Sequence, residues 1–152
     1  MLPIPCKFTL VAGRGEGDTP LNAFDAALLD AGVGNLNLLR VSSILPPGAV
    51  YHTGLAIPPG ALVPTAYGYL TSSEPGSVIA AAIGVGFSLD TYGVIMEFEG
   101  FCRKEEAEAR VTAMVEQGFK KRNLCLHEVF VRAVEHQVEL NGSVFAAAVF
   151  WY

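Results

Sequence analysis

A chain of 152 residues that is 51% hydrophobic and 16% charged has the length of one domain, expected to bury roughly 70% of its unfolded surface, and is too apolar for disorder. Its formal net charge of −5, with no basic run, excludes an electrostatic nucleic-acid binder, which needs a cation stripe to neutralise phosphates. Mean hydropathy is +0.39, yet the most apolar runs, 78–87 and 144–152, fall short of the ~18 residues of a membrane span. Apolar surface hidden between subunits of an oligomer is the expected explanation.

In chain order, residues 6–11 read as a strand ending at Ala12-Gly13. The glycine-rich stretch 13–17 lacks the lysine of a Walker loop and the spacing of a dinucleotide fingerprint, so a flexible turn is expected. A helix then starts with Thr19 as N-cap and Pro20 in its first position, and stops at Gly32. Leu21, Phe24 and Leu28 make its apolar stripe, with Asp25 at the edge. From Asn35 the period changes to two, with Leu36, Leu38 and Arg40 on one side, and this strand runs into Ser42-Ser43 before Pro46-Pro47 stops it. A loop through Tyr51, His52 and 58–60 follows, with His52 expected in solvent.

Strands are expected at 61–66, 69–72, 78–87 and 92–98, with Gly84 and Gly86 marking a bulge or a close backbone approach. Residues 104–121 form the clearest helix, apolar along Ala107, Val111, Met114, Val115, Gly118 and Phe119. Arg103 stands where a capping serine or threonine would be expected, which predicts a weakened helix start. Residues 124–140 alternate as a long strand with one phase change after Ala133. His127 and His136 have no paired ligand and read as sheet-face residues. Asn141-Gly142 signals a hairpin returning through 144–152. Many strands with two substantial helices imply an α+β fold, helices covering sheets that pack on each other, in a single domain spanning 1–152. Cys6, Cys102 and Cys125 are scattered and odd in number, predicting neither a disulfide framework nor a zinc site but reduced thiols in a cytoplasmic setting. The N-terminus, with Lys7 and two early prolines, lacks a signal-peptide pattern.

Several blocks point to chemistry together. They are 17–25 (GDTPLNAFD), 32–37 (GVGNLN), 40–47 (RVSSILPP), 60–69 (GALVPTAYGY), 96–100 (MEFEG) and 145–152 (FAAAVFWY). In this order and spacing, over nearly the whole chain, they resemble the small archaeal-type pyruvoyl-dependent arginine decarboxylases. The resemblance implies an αββα sandwich and a trimer, or a dimer of trimers, with active sites between subunits.

It also implies that the Ser42–Ser43 bond cleaves itself, giving fragments 1–42 and 43–152. The Ser43 hydroxyl attacks the Ser42 carbonyl carbon and converts the peptide to an ester. Elimination frees the Ser42 carboxylate and leaves dehydroalanine at 43, and hydrolysis releases ammonia and leaves a ketone. The attacking hydroxyl must follow the scissile carbonyl, so Ser43 is the required one. The covalent pyruvoyl group so formed takes the place of pyridoxal phosphate, no metal is expected, and the substrate is held through a Schiff base. Asn37 has the processing role in the family pattern, as an amide donor to the oxyanion; read alone, it is a strand-end residue capping a turn. Glu97 is the candidate proton donor to Cα, which needs a carboxyl pKa raised by burial, expected from neighbours such as Met96 and Phe98. Glu99 shares its strand face, where a second like charge would also raise one of the two pKa values; the bland reading is a solvated polar face, and the role of Glu99 stays open. Asp25 matches the guanidinium-binding position, a guanidinium fork calling for a carboxylate. Leu28, Gly34 and Leu36 are expected to wall the pocket.

The activity implied is conversion of L-arginine to agmatine and CO2, an entry to polyamine synthesis, with a small molecule as partner and neither nucleic acid nor membrane. Two alternatives remain. One keeps the pyruvoyl chemistry for another amino acid such as histidine, and the pocket carboxylate discriminates it. The other is a non-cleaving trimeric binding or structural homologue, for which Ser43, Asn37 and Glu97 would have no use together.

Overall fold

The last long strand alternates between two faces that are both apolar, so it must be covered on both sides. In the computed structural model, which describes residues 1–152, the elements in order are β1 (Lys7–Glu16), α1 (Pro20–Asp30), β2 (Asn37–Arg40), β3 (Ile44–Leu45), β4 (Val50–Tyr51), β5 (Leu62–Ser72), β6 (Val78–Phe87), β7 (Gly93–Gly100), α2 (Lys104–Lys121), β8 (Glu128–Gln137) and β9 (Gly142–Trp151). β9 is the middle strand of a five-stranded sheet ordered β2-β5-β9-β1-β4; a second sheet is ordered β3-β7-β6-β8. The first is mixed, its edge strands β2 and β4 parallel to their neighbours. The second is antiparallel throughout.

Between the sheets lies the main core, where Val144, Ala146 and Phe150 of β9 meet Ile79, Ile83 and Val85 of β6. The opposite face of β9, with Phe145, Ala147 and Val149, packs under Ala27 of α1. The opposite face of β6, with Ala80 and Ala82, packs under Ala107 and Val111 of α2. The layers are therefore α1, sheet, sheet, α2: the expected αββα sandwich.

Glycine moves several expected boundaries. β1 continues through 13–16 in unbroken register with β9, so the glycine-rich stretch is strand for most of its length. A Cβ on Gly13 would overlap the Ala27 carbonyl oxygen, and one on Gly15 would sit 2.5 Å from the Ala26 Cβ. The helix rests directly on the strand, so its fully buried residues are Ala23 and Ala27. Phe24 and Leu28 are half-buried and Leu21 is 75% exposed, which corrects the expected stripe. The helix ends are as expected: the Thr19 hydroxyl accepts the Asn22 amide, and Gly32 follows the last turn at φ +83. Gly84 and Gly86 mark no bulge, since β6 keeps register with both neighbours; they lie beneath Val115 and Phe119 of α2.

Other corrections have equally local causes. β5 is one strand where two were expected, and β3 and β4 are two-residue strands within what read as loop. β8 is shorter than expected and shows no phase change against β6. Asn141-Gly142 is not a hairpin turn, because β8 and β9 belong to different sheets. Asn141 instead donates to the Gly17 carbonyl and accepts from the Ser73 hydroxyl, tying the ends of β1 and β5 to the crossing chain. α2 has the expected bounds, and its Arg103 N-cap makes no side-chain bond. The start is served from β8, where the Glu135 carboxylate accepts the Lys104 amide at 3.1 Å and Arg103 at 2.9 Å. His52 is half-buried, and His136 is paired with Glu16 across the two sheets.

Candidate active site

Ser42 and Ser43 lie where the chain leaves one sheet for the other. Upstream, Arg40 closes β2 and the Val41 amide still donates to Thr65 of β5 at 3.1 Å. Downstream, the Ser43 carbonyl accepts the Ile95 amide at 2.7 Å, and Ile44 pairs with Val94 in β3–β7. The Ser42–Ser43 peptide bond therefore bridges the two ladders. Ser42 is exposed and Ser43 half-buried, and neither hydroxyl is tied up in a hydrogen bond. A peptide bond outside both ladders can change geometry without breaking sheet pairing, and a free hydroxyl is available for attack.

β7 carries Glu97 to this place. Ile95, Glu97 and Glu99 share one strand face, and Ile95 belongs to the core between the sheets. Glu97 is thus about 7 Å along the strand from the residue that holds the Ser43 carbonyl. Met96 and Phe98 do not line its surroundings; they face α2 on the other side of the sheet. Glu97 is covered instead by β5, whose Gly68 faces it. A Cβ on Gly68 would come within 3.1 Å of the Glu97 Cβ and 2.8 Å of a Glu99 carboxylate oxygen. Burial pushes the Glu97 carboxyl above its ordinary value; Arg40 pulls it down and Glu99 adds to the rise. A carboxyl raised in this way is suited to holding and delivering a proton.

The remaining expected residues stand apart from this group. Asn37 opens β2, at the opposite end of the strand from the crossover, and its amide donates to the Gly60 carbonyl at 2.9 Å. Asp25 is exposed on α1, while Leu28 and Leu36 pack half-buried on the outer face of the five-stranded sheet. Gly34 lies against Leu29, whose Cδ2 would be 2.5 Å from a Cβ there. The chain thus presents two separate groups: Ser42, Ser43 and Glu97 at the junction of the sheets, and Asp25, Leu28, Gly34, Leu36 and Asn37 around α1 and the start of β2. Arg40, Tyr67 and Gly68 join the first group and were not expected. The available signal was Arg40 itself, a charge in the position that Leu36 and Leu38 prepare for an apolar residue.

Comparison with known proteins agrees with the layering. The profile of the pyruvoyl-dependent arginine decarboxylase family matches residues 7–152. The pyruvoyl-dependent arginine decarboxylase of Methanocaldococcus jannaschii is 53% identical over 151 residues, covering 98% of this chain and 92% of that protein. The protein of the same name from Pyrococcus abyssi is 46% identical over 148 residues, covering 95% and 94%. Among solved structures, a pyruvoyl-dependent histidine decarboxylase superposes with a TM-score of 0.54 at 16% identity, covering 63% of this chain and 53% of that one. That likeness concerns the fold alone.

Proposed function

Because the chain belongs to the pyruvoyl-dependent arginine decarboxylase family, we propose that it cleaves its own Ser42–Ser43 bond and then converts L-arginine to agmatine and CO2, an entry to polyamine synthesis. The observation that carries this reading is the position of the bond: outside both ladders, with the Ser43 hydroxyl free and the Ser43 carbonyl anchored by Ile95. These residues fit a pyruvoyl group at position 43, because the anchor remains on the second fragment after cleavage. The group supplies an electrophilic carbonyl to accept the electron pair released with CO2, which no ordinary side chain offers.

The chain's own residues do the rest. Glu97, its carboxyl raised by burial, returns the proton to Cα. Asp25 receives the guanidinium, with Leu28, Gly34 and Leu36 around the aliphatic stem. Asn37 donates to the oxyanion during cleavage. Because Asp25 and Asn37 lie apart from Ser43 and Glu97 within one chain, each site is composite, with the two groups facing each other across a contact between subunits. A trimer, or a pair of trimers, repeats that contact and covers the exposed Leu39, Val41, Ile44 and Leu62.

Intact mass of the denatured protein is the test. Two species corresponding to 1–42 and 43–152 are expected, with the second carrying a ketone that reductive amination traps, while Ser43→Ala stays whole. A single uncleaved mass after prolonged incubation, with no trappable ketone, overturns the reading.

A further inference from the structure

Arg40 stands three residues before Ser43, and its surroundings are unusual for a half-exposed strand-end arginine. Its guanidinium donates to the Tyr67 carbonyl at 2.8 Å and lies over the Tyr67 ring at 4.7 Å from the centroid. Both contacts are to one residue of β5, so the planar head is fixed in position and direction. The same Nη2 is 4.0 Å from Glu97 Oε1, at the limit of an ion pair. The next residue of β5, Gly68, leaves the space that the Glu97 and Glu99 side chains fill. Three strands therefore meet at one carboxylate: β2 brings the cation, β5 its seat, and β7 the acid.

We propose that Arg40 is a positioning residue for Glu97: seated on Tyr67, it holds the Glu97 carboxyl beside the Ser42–Ser43 crossover and faces it with a fixed positive charge. The inference rests on the role given above to Glu97. The groups around Glu97 are few. Glu99 shares its strand face, Ile83 of β6 is its register partner, and Gly68 faces it from β5. The charges of α2 lie behind Met96 and Phe98, on the other side of the sheet. Arg40 is thus the one cation facing the carboxylate, opposed by burial and by Glu99. A carboxyl governed by burial and a like charge alone would keep its proton more firmly and give it up poorly. A nearby cation sets the balance between holding and giving.

The test needs neither cleavage nor turnover. In the Ser43→Ala background the Glu97 carboxyl is titrated by carbon NMR on glutamate-labelled protein, its resonance assigned by loss in Glu97→Gln. Arg40→Gln is expected to raise the Glu97 midpoint by about 0.5 unit or more, the size appropriate to a partly exposed pair. Arg40→Met, which keeps an apolar stem over Tyr67, should do the same. A midpoint in either variant equal to or below that of the parent overturns the proposal. Since these proteins are uncleaved by design, that result is separable from failure of the decarboxylase reading, which the intact mass of the unmodified chain decides.

Discussion

At the scale of single residues, the proposed function assigns proton delivery to one side chain and substrate recognition to another. Burial is the chief reason the Glu97 carboxyl lies above its ordinary value. Its donor form is lost as pH rises through the elevated pKa, so turnover should fall on the alkaline side, a limb that Glu97→Gln lacks. That variant should still cleave, while kcat drops ~10²–10⁴-fold, the usual weight of general acid–base catalysis; single-turnover assays on cleaved protein measure it. Near-normal turnover would move the proton to another group, Glu99 first. Asp25 is exposed on its helix, available to a partner or a substrate. A charge-assisted contact to guanidinium is worth about 1.5–3 kcal/mol, or roughly one to two decades in kcat/KM. Asp25→Asn should therefore lower kcat/KM for arginine by that amount and for citrulline much less, with self-cleavage unchanged. Equal losses for both would make Asp25 structural.

At the scale of elements, the sheets are fastened to each other by contacts that no single element contains. Glu16 at the end of β1 accepts the Leu140 amide at 2.8 Å and the Glu139 amide at 3.3 Å, and pairs with His136 of β8. Burial favours its neutral form, but the two amides and His136 outweigh it and hold the carboxyl below its ordinary value. The sign follows directly. A depressed folded pKa contributes stability that is present above the unfolded value and lost as pH falls through the folded one. Glu16→Gln should thus lower Tm near pH 7 and make little difference near pH 3, as thermal melts at the two pH values would show. An equal loss at both would mean that packing, not charge, is what Glu16 supplies. The start of α2 depends on Glu135 in the same trans fashion, so the missing N-cap serine at position 103 leaves no amide of Lys104 without a partner.

The whole molecule raises the question of where a complete site is. Ser43 and Glu97 are at the junction of the two sheets, Asp25 and Leu28 on the helix-covered face of the five-stranded sheet, and Leu39, Val41, Ile44 and Leu62 are exposed. A site shared between subunits makes a specific prediction. Co-expressed Asp25→Asn and Glu97→Gln chains, each impaired alone, should assemble mixed oligomers in which random pairing leaves about a quarter of the contacts with both groups intact. Activity of the mixture should rise to about that fraction of the unmodified enzyme, read by decarboxylation assays on the purified mixed species. Additive residual activities with no recovery would place both groups in one chain's site.

What the sequence by itself determined was whatever depends on neighbours along the chain. Thr19-Pro20 and Gly32 bound α1, the apolar spacing of 104–121 gave α2 its limits, and the apolar runs 78–87 and 144–152 read as strands. The Ser42-Ser43 block and the carboxylates of 96–100 were equally legible, because each is a short run of fixed spacing. Tertiary structure alone decided the contacts made across the chain. The Asn141-Gly142 dipeptide has the chemistry of a hairpin turn, but the strands it joins find their partners in different sheets. Glycines 13 and 15 look like a loop until α1 is laid over them, since only the absent Cβ lets Ala26 and Ala27 approach. Arg40, Tyr67 and Glu97 carry no common motif. They meet because β2 and β5 pair in parallel while β7 packs against β5 from the other sheet, and electrostatic coupling depends on that distance through space, not on separation in sequence.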